Sequence, residues 1–309
     1  MQIIAQTNNS KIAKVFLGKL NSGVTVEFVE SFQPPNPVEK KIIYLISTMC
    51  GCPIKCSFCD SGGFYQGKLT KEEMFEQIDY LVRLRFETND ITTKKFKIQF
   101  ARMGEPALNM AVCDVLEEFN SRYTAPGFLP SVSTVAPKGT DAFFDRIIDI
   151  KKRLYDMNFQ MQFSIHSTNL EYRDKLIPVK KLSFQEISKL SERFYSSGGK
   201  KTSLNFALAG QAELDENILA GFFNPELVIL KITPVNPTAA AKRSGTISEK
   251  LDSDYFKEKV DKIKDKGFEV IISIGELEEN LIGSNCGQYI SNYLKSDEEL
   301  EDAYKYEFE

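Results

Sequence analysis

Residues 41–59 read KIIYLISTMCGCPIKCSFC, and this stretch decides how the rest of the chain is to be read. Residues 41–47 form a short, nearly continuous apolar run, which predicts a buried strand. Directly after it come Cys52, Cys56 and Cys59 in the spacing C-x3-C-x2-C. Structural zinc takes four ligands, and its cysteines come in close pairs with a second pair further along the chain. The sequence offers no second pair. Three thiolates in one loop suit a [4Fe–4S] cluster instead, with the fourth iron left open to another molecule.

Outward from this stretch the pattern alternates. Strands are predicted over residues 95–101, 129–134, 159–166, 202–208, 227–232 and 269–274. Helices are predicted over residues 110–123, 141–154, 217–223 and 255–266. Two more helices open at capping boxes, Thr70 with Glu73 and Ser183 with Glu186, in which each side chain satisfies the other residue's backbone N–H. Strands separated by single helices argue for parallel pairing. The expected fold is α/β, a partial (β/α)6 barrel over residues 41–280. A small N-terminal β preface over residues 1–40 precedes it, and a C-terminal helical extension with an acidic tail, residues 281–309, follows. In the preface, residues 11–20 and 24–29 alternate around the turn signal Asn21-Ser22-Gly23.

The chain has 309 residues, 42% of them apolar and 27% charged, which fits a folded globular protein and not a disordered one. No apolar run reaches the ~18 residues needed to span a bilayer, and the first residues lack the pattern of a signal peptide. A cytoplasmic protein with no membrane partner is expected. Net charge is −4, but residues 296–309 hold seven acids against one lysine. The rest of the chain, with 38 basic and 36 acidic residues, is close to neutral. That is not the footprint of a strong nucleic-acid binder. Four of the six cysteines fall within ten residues, which points to metal or redox chemistry and not to structural disulfides.

The cysteine spacing, with Phe58 before the last cysteine, resembles the radical S-adenosylmethionine (radical SAM) superfamily. Five further segments, in order, resemble the RlmN/Cfr family of RNA adenine methyltransferases. They are Met103-Gly-Glu-Pro106 with Asn109, Val132-Ser-Thr134, Ser164-Ile-His-Ser167 through Arg173-Asp-Lys-Leu-Ile-Pro178, Thr233-Pro-Val-Asn-Pro237, and Cys286-Gly-Gln288. Each is weak alone; six in order over about residues 24 to 290 are specific.

The resemblance implies a [4Fe–4S] cluster on Cys52, Cys56 and Cys59, S-adenosylmethionine as second cofactor, and an electron donor such as flavodoxin or ferredoxin. It implies a SAM pocket drawn from Gly104, Glu105, Ser133, Ser164, His166 and Asn236. Read as residues, the same positions have plainer meanings. Gly104 and Glu105 suit a turn before Pro106, and the serines suit strand-end capping. His166, the sole histidine, suits a satisfied structural role. Cys286 is a small buried hydrophobe on that view. In the family it corresponds to the methyl carrier, from which a one-carbon unit reaches a non-nucleophilic carbon of an RNA, nucleotide or small-molecule substrate. The alternatives are another radical SAM reaction (dehydrogenation, rearrangement or crosslinking) and a cluster-bearing RNA-binding or assembly protein without catalysis.

Two departures from the family stand out. Its second catalytic cysteine falls at Leu45, with Cys50 displaced by five residues. Its helical RNA-binding domain has no counterpart in the preface, which sets the expectation against ribosomal or transfer RNA. Glu27 aligns with a glutamate of the family. Cys113 falls in a predicted helix and reads as core.

Overall fold

The computed structural model describes residues 1–290 apart from 8–10, 33, 211, 249–250, 275–276 and 285–288. In chain order the strands are β1 (Gln2–Gln6), β2 (Ala13–Lys19), β3 (Thr25–Ser31), β4 (Ile42–Ile46), β5 (Met49–Gly51), β6 (Tyr65–Lys68), β7 (Phe96–Phe100), β8 (Phe128–Thr134), β9 (Gln160–Ser164), β10 (Thr202–Leu208), β11 (Val228–Pro234) and β12 (Glu269–Ile272). The helices are α1 (Lys71–Arg83), α2 (Ala111–Arg122), α3 (Asp141–Ile150), α4 (Leu170–Leu176), α5 (Phe184–Phe194), α6 (Glu216–Phe222), α7 (Ala239–Ser244), α8 (Asp254–Asp265) and α9 (Leu277–Ile282).

Among the described residues ten strands form one sheet in the order β1-β2-β3-β4-β7-β8-β9-β10-β11-β12. From β4 to β12 every pairing is parallel, and at least one helix intervenes between each pair. β1, β2 and β3 join antiparallel, and β3 pairs with β4 through Val29 and Leu45. The preface is therefore hydrogen-bonded onto the sheet that carries the barrel strands. The order runs from edge to edge without β12 returning to β4, so the barrel is open.

Period-two alternation builds the two faces. On β7, Phe96, Ile98 and Phe100 are buried while Lys97 and Gln99 are half-buried; on β11, Val228, Leu230 and Ile232 are buried while Lys231 and Thr233 are not. The apolar set packs under the helices. Phe96 and Phe119 of α2 stack with centroids 6.3 Å apart, and the Tyr44 hydroxyl donates to the Leu81 carbonyl of α1 at 2.9 Å. The polar set faces a lumen, where it forms a ladder. Gln162 donates to Ser131 at 2.8 Å, Asn205 to Gln162 at 3.1 Å, and Ser203 to Asn205 at 2.7 Å.

Both capping boxes form as expected, opening α1 and α5. The helix expected over residues 141–154 ends as α at Ile150 and continues as a π turn, Lys151–Tyr155. No helix among the described residues is long and apolar enough to cross a membrane.

Candidate functional site

The cysteine loop is the connection of a small hairpin, since β5 pairs antiparallel with β6. Its entry needs glycine. Gly51 has φ +73°, and a Cβ there would lie 1.7 Å from the Phe64 carbonyl oxygen. The loop is braced on three sides. The Cys52 amide donates to the Ser61 carbonyl at 2.8 Å and the Ser57 amide to the Leu176 carbonyl at the end of α4 at 2.9 Å. Asp60 accepts from the amides of Ala240 (2.7 Å) and Ala239 (3.3 Å) at the start of α7, and Thr238 donates to the Phe58 carbonyl at 2.7 Å. A carboxylate at a helix start answers both the orphan amides and the helix dipole.

Cys52, Cys56 and Cys59 are near enough to feel one another. Burial, then repulsion from Cys59, pushes the Cys52 thiol up to about 12, and burial with repulsion from both neighbours pushes Cys56 well above the ordinary thiol range. Thiols so placed ionise only when a cation offsets the cost, which is the chemistry of a metal–thiolate site. Among the described residues no group of three or more His, Cys, Asp or Glu side chains is arranged to hold a single ion. The three thiols are close enough for the charge of each to bear on the others.

Beneath the loop lies a cavity of about 580 Å³ in the lumen, and Phe58, Ser133, Ser164, His166 and Asn236 all line it. The strand-end serines and Asn236, up to 103 residues apart in sequence, are gathered there by register. His166 has φ +64°, uncommon for a residue with a side chain, though histidine is among the types that adopt it most readily. Its Nδ1 accepts from the Ala207 amide at 3.0 Å, so the proton of the neutral ring sits on Nε2. Burial, then nearby Arg173, holds its pKa down at about 3. His166 is therefore a fixed neutral donor, edge-on to Phe58 with centroids 5.0 Å apart.

Gly104 and Glu105 are not part of the described cavity lining; they stand beside it, between the end of β8 and the cysteine loop. Gly104 has φ +95°, and a Cβ would meet the Met49 Cβ at 2.5 Å, so packing alone explains the glycine. Glu105 is buried and caps the short turn Pro106–Leu108, accepting from the Ala107 amide at 2.9 Å. It also accepts from the Val135 amide at 2.9 Å and from the Thr134 hydroxyl. Burial raises its pKa to about 7 despite these donors, and its charge is felt at Cys52 and Cys56.

Arg173, quoted above without a role, is buried within α4. Its Nη1 donates to the Leu182 carbonyl at 3.1 Å, while Nε and Nη2 have no hydrogen-bond partner among the described residues. The guanidinium lies over the Phe184 ring, 5.1 Å from its centroid, and Arg173 is not among the residues lining the cavity.

Cys286 lies outside the described residues, but both flanks of its segment are fastened by a pair that sequence reading half missed. Glu27 and Arg102 form a fully buried ion pair. Arg102 donates to the carbonyls of Gly283 (2.7 Å) and Ser284 (3.0 Å), and Glu27 accepts from the Ile290 amide at 3.0 Å. Cys50 packs in the same small apolar cluster as Ile282, Tyr289 and Ile290. Its thiol donates to the Thr25 carbonyl and Gln66, and burial pushes it up to about 11. Leu45 lines the cavity. Cys113 is buried in α2, as expected.

The sequence matches no family model. It is 29% identical over 182 residues to the probable dual-specificity RNA methyltransferase RlmN of Chlorobium phaeobacteroides, covering 56% of this chain and 47% of that protein. To the protein of the same name in Thermotoga petrophila it is 29% identical over 230 residues, covering 72% and 62%. The chain thus spans less than two thirds of the length of these relatives. Among solved structures, a radical SAM methyltransferase from Sphaerobacter thermophilus superposes with a TM-score of 0.68 at 19% identity, over 89% of this chain and 77% of that one. Streptococcus suis SuiB bound to S-adenosylmethionine superposes with a TM-score of 0.51 at 13% identity, over 76% and 50%. By sequence the chain is similar to the RlmN methyltransferases, and its fold is that of a radical SAM methyltransferase structure.

Proposed function

We propose that the chain is a C-methyltransferase of radical SAM type, acting on a non-nucleophilic carbon with Cys286 as methyl carrier. The observation that carries this reading is the meeting of a braced three-cysteine loop with one cavity lined by Ser133, Ser164, His166 and Asn236. Cys52, Cys56 and Cys59 would hold the [4Fe–4S] cluster, and a donor of flavodoxin or ferredoxin type would reduce it. Bound together, cluster and SAM supply one-electron chemistry that no side chain furnishes.

The protein's own part is positioning. Glu105, fixed by three donors, matches an ammonium. His166 offers one N–H donor without becoming charged, and Asn236 offers both a donor and an acceptor. The Glu27–Arg102 pair fastens the segment on either side of Cys286.

Anaerobically purified protein should carry about four irons per chain. With SAM and a reductant it should yield S-adenosylhomocysteine as well as 5′-deoxyadenosine, and the peptide containing Cys286 should gain the mass of one methylene. Stoichiometric zinc in place of iron would sink the cluster assignment.

A second reading has one observation in its favour. Leu45 has no thiol, and the Cys50 thiol is bonded and held near 11, which leaves little thiolate to resolve a crosslink. A different radical SAM reaction, releasing 5′-deoxyadenosine without S-adenosylhomocysteine, needs no such thiol.

A further inference from the structure

Five lysines converge on the lower lumen. Lys41 directly precedes β4, Lys95 directly precedes β7, Lys97 is the second residue of β7, Lys200 stands two residues before β10, and Lys231 is the fourth residue of β11. All five line the cavity described above, with Glu279 the one carboxylate among the described lining. Lys41, Lys97 and Lys231 are half-buried, while Lys95 and Lys200 are exposed at its mouth.

Gathering like charges in a concave site is unfavourable. Burial and the four neighbouring lysines hold Lys97 down to about 7, and burial with Lys95 and Lys231 lowers Lys41 as well. Strand register sets Lys97 level with Leu129 on β8, four residues below Ser133. At the rise of a parallel strand that is about 13 Å beneath the strand-end residues.

We infer that the lower lumen is a phosphate-binding site, and that the substrate is a small phosphate ester of nucleotide size. Its anionic group sits among Lys41, Lys97 and Lys231, and its reacting carbon reaches up to the Ser133–His166 level. The substrate assignment rests on the radical SAM reading above; the anion site does not.

Three observations favour a small ester over an RNA surface. The positive charge is collected inside a cavity and not spread over a face, where counter-ion release would reward it. The sequence outside the acidic tail is nearly neutral, with 38 basic and 36 acidic residues. The volume of about 580 Å³ suits a small ligand. The amides of Gln162 and Asn205 extend the polar wall between the two ends.

Inorganic pyrophosphate, titrated calorimetrically into the full chain at fixed ionic strength, tests the site. Saturable one-site binding is expected, weakened at least tenfold by Lys97→Gln or Lys231→Gln. Lys97→Arg should retain it within threefold, and Lys189→Gln on the outer α5 should leave it unchanged. Heat no greater than that from chloride, or equal affinity in Lys97→Gln/Lys231→Gln protein that keeps its melting temperature, overturns the site. In the same preparation, 5′-deoxyadenosine formed from SAM on reduction is measured separately. Its absence defeats the radical SAM reading and leaves the anion site standing. Its presence without pyrophosphate binding defeats the phosphate ester alone.

Discussion

The two ends of the lumen are built on opposite principles. At the C-terminal ends of the strands most charged groups have fixed partners, Arg173 excepted. Asp60 caps α7, Glu105 accepts three hydrogen bonds, and Arg102 is shared between Glu27 and two carbonyls. At the lower end, five lysines line one cavity. A site that must hold reactive groups in register is rigid and satisfied, whereas a site that must attract a ligand keeps an electrostatic demand open. On the proposed function, the first end would carry the chemistry and the second the capture.

The sharpest way to break this contrast is at Arg102. Arg102→Ala leaves Glu27 as a buried, unpaired carboxylate. A loss of ~3–5 kcal/mol is expected in denaturant unfolding, the range for breaking a buried pair. A loss under ~1 kcal/mol would mean that the upper end is not held as described. Next in size is Gly104→Ala, whose Cβ meets Met49 at 2.5 Å from a left-handed backbone. It should cost ~1–3 kcal/mol as overpacking and strain, read by the same unfolding curve. Glu105→Ala should weaken SAM by ~1.5–3 kcal/mol in equilibrium titration, the value of a charge-assisted hydrogen bond, with iron content retained. Unchanged affinity would return Glu105 to the turn alone.

At the lower end the expected sign reverses. Lys97→Gln removes a repelled ammonium and should stabilise the ligand-free protein by about 1 kcal/mol at pH 7, scaled to a solvent-screened charge. The folded pKa of Lys97, about 7, lies below its ordinary value. Between pH 7 and 10 the unfolded chain therefore binds more protons, and wild-type stability rises with pH. The advantage of the variant should shrink across that window. Lys41, Lys95, Lys200 and Lys231 are the charged groups that set the shift, so an advantage that grows with pH would refute the described cluster.

What the sequence discloses follows from how local each signal is. Strands β4 and β7 to β12 are legible because apolar runs and alternation are local, and α1 and α5 because their capping boxes span four residues. The hairpin β5–β6 is three and four residues long, and α4 and α7 are seven and six. Elements so short show no period, and their caps, Asn169 and Thr238, stand out only once the helix is known. The strand-end residues Ser133, Ser164, His166 and Asn236 can be nominated singly; only register places them in one cavity. Glu27 is conspicuous as an acid within an apolar strand, but its partner Arg102 is 75 residues away. The lysine cluster is invisible in the sequence, because its five members are scattered between residues 41 and 231 and each alone reads as a solvated charge.

The clamp around residues 283–290 also dates its own assembly. Glu27 waits for Ile290, 263 residues later, and Arg102 for Ser284, 182 residues later. At the ribosome's pace of ~5–20 residues per second, Glu27 is synthesised roughly 13 to 53 s before its backbone partner exists. Closures so distant in sequence are slow to form even then. The lysines, all within the first 231 residues, are synthesised well before that partner. In the growing chain, the lysine end can be complete before the clamp is able to close.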